Sequence, residues 1–213
     1  VSRVLVICAR RYNGHELWTA LGVMQKQGHT FEVVSTSTTI MDELTLRPNT
    51  IERTINQVQA IDMFDFDALM IVSGNMDDTE AYWTNDHVQS IVKHFGASDK
   101  PVAAICCSAP TVAPIAKGKR VSFYPLVRSR QRLKQAGALL QTVAISVDGK
   151  LVTAEHQMAT EMWAEEFCNV LAGKPPIYVF EDSGFVPRGR PRRMAPEISR
   201  MINAAKDAKK TQF

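Results

Sequence analysis

The sequence predicts a doubly wound α/β fold: a mostly parallel sheet sandwiched by helices, with a sharp strand-to-helix elbow near its centre. Three observations predict it. Short runs at 4–8, 67–72 and 102–105, apolar but for Asp67, have the composition of strands buried on both faces of a parallel sheet. Segments with apolar residues at helical spacing alternate with them. The 213 residues suffice for one good-sized domain of this kind and are few for two.

The elements follow in order. Residues 4–8 form the first strand and 9–14 a loop. Leu17, Ala20, Leu21 and Met24 mark a helix over 16–24, which Gly28 stops, and 31–35 is the second strand. Such a βαβ unit makes the sheet parallel and the connection right-handed. The Ser/Thr-rich stretch 35–48 has no period and reads as a loop, while 50–55 alternates weakly, as a strand does. The strand at 67–72 ends in a tight turn, Ser73-Gly74-Asn75-Met76-Asp77. Thr84 is expected to cap a helix running to Phe95, with Val88, Ile91, Val92 and Phe95 on one face.

The strand at 102–105 breaks off at Cys106-Cys107-Ser108, and Ala-Pro-Thr-Val-Ala then reads as a helix start. A short strand at 120–124 and a basic helix at 128–136 come next. An alternating strand at 139–147 turns at Asp148-Gly149 into 151–153, a hairpin signal. A loop at 154–160 leads to an amphipathic helix at 161–171, ended by Gly173 and Pro175. The expected α/β domain is therefore 1–174, with 175–213 as an extension. That extension is apolar and aromatic to residue 185 and basic beyond it, with a short basic helix over 198–210. From residue 184 onward there are eight Lys/Arg and two Asp/Glu, so the net charge of +3 belongs to the tail.

Composition narrows the class. Apolar content of 45% and charged content of 22% are ordinary for a globular protein. No apolar run approaches the roughly 18 residues that span a bilayer. The chain enters directly on a strand, and no signal or transit peptide is expected from it. Four irregularly spaced cysteines argue for a reducing compartment, and the expectation is a cytoplasmic protein. There is no CxxC and no HxxxH, which argues against zinc.

The chemistry concentrates at the elbow. A strained turn pushes one side chain out of the sheet's carboxyl edge, and the helix behind it aims N–H groups at the same point. A thiol there is expected to have a lowered pKa and to favour the thiolate. The plainer alternative is that Cys106 and Cys107 are two small buried residues. Sites in open α/β sheets lie at the carboxyl ends of strands. The loops after residues 8, 72 and 105 should therefore converge, bringing Glu16, Gly74 and Cys106 together. Glu16 beside a thiolate would be a like-charge pair, with a raised pKa suited to proton transfer. The alternative is a solvated first-turn glutamate. Cys107 either faces away or supplies a second thiol, although a disulfide between adjacent residues is strained.

Ala104-Ile-Cys106 at an elbow, Glu16 after the first strand and Ser73-Gly-Asn75 after the third apolar strand resemble the ThiJ/PfpI superfamily, over about residues 3–173. The resemblance implies a flavodoxin-like fold with Cys106 as nucleophile and Glu16 hydrogen-bonded to its sulfur. It also implies an oxyanion hole formed by the backbone N–H groups of Cys107 and Gly74. The expected activity is a cysteine-dependent lyase or hydrolase acting on a small carbonyl-like substrate, with no organic cofactor or metal, in a homodimer or larger homo-oligomer.

Departures from the family pattern are specific. Cys107 stands where PfpI-type peptidases have His. Tyr124 precedes Pro125 where the deglycase branch has His, and Glu155-His-Gln-Met158 replaces that branch's Arg-Gly-Pro-Gly segment. The late His-Pro-Glu of class I glutamine amidotransferases is absent. His156 is the leading substitute for the missing partner, in a loop that the family places near the cysteine, with His15 second. Tyr12, Trp18, Asn75 and Tyr124 are candidates to line a pocket. Two other functions stay open: a redox sensor or holdase using an oxidisable cysteine, and a binding module whose basic tail grips nucleic acid or an anionic partner.

Overall fold

The computed structural model describes residues 1–59 and 62–178. A seven-stranded sheet organises them. Its strands are β1 (Arg3–Cys8), β3 (Thr30–Ser35), β6 (Arg53–Thr54), β7 (Ala68–Val72), β8 (Val102–Ile105), β11 (Ile145–Asp148) and β12 (Leu151–Ala154). The spatial order is β11-β12-β8-β7-β1-β3-β6. Every pair is parallel except the β11–β12 hairpin. This is the flavodoxin-like arrangement the sequence predicts.

Alternate residues of β1 explain why the strands are apolar throughout. Val4, Val6 and Cys8 face the layer formed by α1 (Gly14–Lys26) and α5 (Thr160–Leu171). Leu5 and Ile7 face the opposite layer, which holds α3 (Asp86–Ala97) and α4 (Val127–Gln135). Both sets are fully buried, so a polar side chain has no place in the middle of the sheet. Chemistry is pushed to the strand ends.

Several elements depart from the expected reading. The presumed loop 35–48 contains β4 (Thr39–Asp42), which pairs antiparallel with β5 (Pro48–Thr50) and parallel with β2 (Arg11–Tyr12). Three short strands on a separate three-stranded sheet leave no run long enough to show a period. The turn at 73–77 passes straight into α2 (Met76–Thr84), so Thr84 ends a helix and does not cap one. The cap of α3 is Asn85, whose side chain accepts from the Val88 amide at 3.0 Å. The stretch 139–147 is two strands, because β10 (Leu139–Gln141) leaves the main sheet to pair with β9 (Arg120–Ser122).

After α5 the chain folds back: the Tyr178 amide donates to the buried Glu166 carboxylate, and Tyr178 packs on the core. Part of the expected apolar extension therefore rests on the domain. The basic stretch from residue 184, and with it the expected tail helix, lies outside the described residues. Among the described residues no helix is long and apolar enough to cross a membrane.

Candidate active site

The central strands β1, β7 and β8 end side by side, and the site is built where they stop. Cys106 follows β8 at φ +57°, in the left-handed region that side chains rarely adopt. Such a residue costs about 1–3 kcal/mol and persists only where its surroundings fix it. Ser108 supplies part of that fixing. The Ile105 amide donates to Ser108 Oγ at 3.1 Å, and Ser108 Oγ donates to the Ile71 carbonyl at 2.8 Å, tying the elbow to β7. The Tyr124 amide donates to the Cys106 carbonyl at 3.3 Å, and Trp83 Nε1 donates to the Cys107 carbonyl at 3.0 Å. Ser108→Ala should lower stability by about 1–3 kcal/mol, the usual cost of a buried polar group left unpaired, read as a urea-denaturation midpoint.

The segment after the elbow is a 3₁₀ helix, Cys106–Ile115, and not the expected α-helix. Pro110 and Pro114 fall inside it and have no N–H to donate, so the regular hydrogen-bond ladder of an α-helix cannot form.

Glu16 sits in the first turn of α1, fully buried, which removes the solvated-helix alternative. Its amide donates to Asn13 Oδ1 at 3.1 Å, the N-cap of the helix. Its carboxyl meets Ser73 at the end of β7. The Ser73 amide donates to Oε2 at 2.7 Å, and Ser73 Oγ lies 2.7 Å from Oε2 and 2.9 Å from Oε1. Burial first, then the charge of Cys106, holds the Glu16 carboxyl protonated well above its ordinary value of 4.5, against the opposing pull of the Ser73 hydrogen bonds. The Ser73 hydroxyl that holds Glu16 also pulls the Cys106 thiol pKa down, so it acts on both the carboxylic acid and the thiol.

A raised carboxyl pKa has a definite effect on stability. The contribution is full below the unfolded value, near 4.5, and is lost as pH rises through the higher folded value. Wild-type denaturation midpoints should fall as pH climbs from about 4.5, and Glu16→Gln, which cannot ionise, should lack that component.

The thiol departs from expectation. Neighbouring Cys107 and then burial push Cys106 well above its ordinary value of 9.0, while the Cys107 amide and the Ser73 hydroxyl pull the other way. This departs from the lowered pKa predicted from a helix N-terminus, for two reasons: a second thiol stands against the first, and burial disfavours the thiolate. Cys107 does not face away: the two sulfurs are 3.7 Å apart. All four cysteines are free and buried.

The remaining candidates divide. His156 caps a short 3₁₀ turn, its Nδ1 accepting from the Met158 amide at 3.2 Å, and its ring lies 5.7 Å from that of Tyr124. Ala154 is the register partner of Ile105, so the loop carrying His156 leaves the sheet beside the elbow. His15 is exposed. Tyr12 is fully buried, its hydroxyl accepting from Asn49 Nδ2 at 2.6 Å, so it supports the core and does not line an opening. Trp18 is half exposed and edge-on to Tyr12. Asn75 caps α2 through the Asp77 amide at 3.2 Å. Gly74 is required, since a Cβ there would lie 2.0 Å from the Arg11 carbonyl oxygen. Its amide donates to Thr79 Oγ1 at 3.1 Å, so that N–H is engaged within its own turn and is not an open oxyanion donor. The Cys107 amide, in contrast, favours the Cys106 thiolate.

Sequence reasoning missed Ser73, Asn13 and Gln157. Ser73 is a small polar residue closing a buried strand before an obligatory glycine, a signal that was legible. Asn13 Nδ2 donates to Gln157 Oε1, joining the first loop to the His156 loop, a pairing across 144 residues that no local pattern reveals.

A cysteine elbow on a flavodoxin-like sheet, with a buried glutamate from the first helix turned toward it, defines a class of protein. The chain belongs to the DJ-1/PfpI family, whose model matches residues 2–170. It is 33% identical over 155 residues to an uncharacterized protein of Methanocaldococcus jannaschii, covering 71% of this chain and 73% of the relative. It is 28% identical over 174 residues to a deglycase of Thermococcus kodakarensis, covering 79% of this chain and 99% of that one. Among solved structures, a ThiJ/PfpI domain protein from Brachyspira murdochii superposes with a TM-score of 0.71 at 19% identity, over 81% of this chain and 98% of the other. DJ-1beta of Drosophila melanogaster gives 0.68 at 21% identity, over 81% and 91%.

Proposed function

We propose that this protein is a cysteine-dependent enzyme that adds the Cys106 sulfur to the carbonyl carbon of a small electrophile, with an α-oxoaldehyde as the substrate class. The observation that carries the reading is the fully buried, protonated Glu16 carboxyl, clasped by Ser73 where β7 ends beside the strained Cys106 elbow. Kinship to a protein named a deglycase supports it.

The chemistry follows from neutral groups. The Cys106 S–H adds across the C=O: a C–S bond forms, the π pair moves to oxygen, and the oxygen ends with a proton. Glu16, held protonated, delivers that proton through Ser73, and the proton of Cys106 replaces it. A site with no resting anion avoids the cost of a buried charge until substrate has displaced water. The Cys107 amide is the backbone donor assigned to the developing alkoxide. His156 and Tyr124 stand at the side of the elbow, where they would contact the rest of the substrate. No organic cofactor or metal enters this scheme.

Incubation with methylglyoxal and related α-oxoaldehydes, followed by NMR, tests the proposal. Wild type should consume at least one of them, and Glu16→Gln should lose about 10²–10⁴-fold, the usual worth of a general acid. A panel consumed no faster than with denatured protein would remove the enzyme reading.

The sensor alternative draws less support. Peroxide oxidises accessible thiolates, whereas Cys106 is 9% exposed and shifted toward the thiol. A cytoplasmic homo-oligomer stays part of the proposal. Ile177, 46% exposed beside the anchored Tyr178, is a residue for its interface, and light scattering on Ile177→Asp would read it.

A further inference from the structure

We propose that Cys106 and Cys107 together form a bidentate site for a monosubstituted trivalent arsenical, a thiophilic centre that takes two sulfurs and keeps one carbon substituent. The inference does not depend on turnover and would hold in a protein that catalyses nothing.

The two sulfurs stand 3.7 Å apart at the mouth of the elbow, both free, with Cys106 9% and Cys107 6% exposed. Bonds of about 2.3 Å from one central atom to two sulfurs, meeting at the roughly 95–100° of a pyramidal trivalent centre, space the sulfurs by about 3.4–3.5 Å. The pair is thus within about 0.3 Å of the separation one bridging atom requires. A direct disulfide needs about 2.0 Å, and the positive φ of Cys106 fixes the backbone that would have to move. One-atom bridging demands far less displacement than oxidation.

Ligand number selects the class. Zinc wants four protein ligands, or three and a water. Among the described residues no group of three or more His, Cys, Asp or Glu could hold a metal ion. A monosubstituted arsenic(III) needs only two thiols, because carbon fills its third valence. The product is neutral, so burial does not oppose it. The step balances without a redox partner. R–As=O and two S–H groups give R–As(S)₂ and one water. The arsenic–oxygen bonds break, two arsenic–sulfur bonds form, both thiol protons leave in the water, and arsenic stays trivalent.

The test uses the full chain and phenylarsine oxide. Intact mass should show one phenylarsenic bridge per chain, with loss of the two thiol hydrogens. It should resist a monothiol wash and be removed by 2,3-dimercaptopropanol. Cys106→Ala, Cys107→Ala and Cys107→Ser should each bind at least about a hundredfold more weakly, the usual loss when two linked contacts become one. Cys8→Ala and Cys168→Ala should bind as wild type does. An adduct that survives in either Cys107 variant, or one mapped to Cys8 or Cys168, overturns the proposal. So does the absence of any adduct on wild-type chain. Iodoacetamide labelling of Cys106 in the same sample reports access to the elbow. If Cys106 alkylates while no arsenical is held, the bidentate site is refuted and the nucleophile reading is untouched.

Discussion

Cys106→Ala should lower α-oxoaldehyde turnover by more than about a thousandfold in kcat/KM, since removing the nucleophile leaves only positioning groups behind. Alanine keeps the same Cβ, so the strain at φ +57° and the Ser108 clasp are unchanged. Stability should therefore stay within about 1 kcal/mol of wild type, inside the range of ordinary single substitutions. Serine at the same position should be nearly as inactive, because nothing in a neutral Glu16–Ser73 pair ionises a hydroxyl. Comparing kcat/KM with a denaturation midpoint separates this outcome from misfolding. Residual turnover above a hundredth of wild type would assign the chemistry elsewhere.

The second large effect has the opposite sign: Cys107→Ala should accelerate alkylation of Cys106 at neutral pH. Cys107 is the first cause of the raised thiol, and alanine removes the sulfur while keeping the amide that favours the thiolate. Each unit by which the pKa falls raises the thiolate fraction tenfold and lowers its intrinsic reactivity by about threefold. The net gain is roughly threefold per unit. Iodoacetamide rates at several pH values, with the label mapped by peptide mass, read both the midpoint and the rate. The midpoint should move down, and an unchanged or slower rate would mean that Cys107 does not govern its neighbour. Wild type and variant are compared over the whole profile.

Much of the fold was legible because burial on both faces leaves a plain mark. The strands at 4–8, 67–72 and 102–105 are apolar runs, apart from Asp67, and each lies within a residue of its observed strand. The small strands Thr39–Asp42 and Pro48–Thr50 left no mark, since their partners lie outside the main sheet and their exposed positions take Thr and Pro. Cys106 and Glu16 were readable from the rule that strand ends converge. Ser73 was visible as part of a motif but not as a bridge, because its meaning depends on a side chain 57 residues away. The pKa of Cys106 was misread for a related reason. The sequence shows a helix start but not the burial of the thiol, nor that Cys107 turns toward its neighbour.

The central claim is that the Cys106 sulfur bonds to a carbonyl carbon, and ¹³C NMR with an α-oxoaldehyde labelled at the aldehyde carbon tests it most directly. Stoichiometric wild-type protein should convert part of the hydrate resonance into that of a sulfur-bearing, tetrahedral carbon, and Cys106→Ala should show none. A sulfur-bound carbon that persists in Cys106→Ala, or turnover with no such species in wild type, would contradict the account.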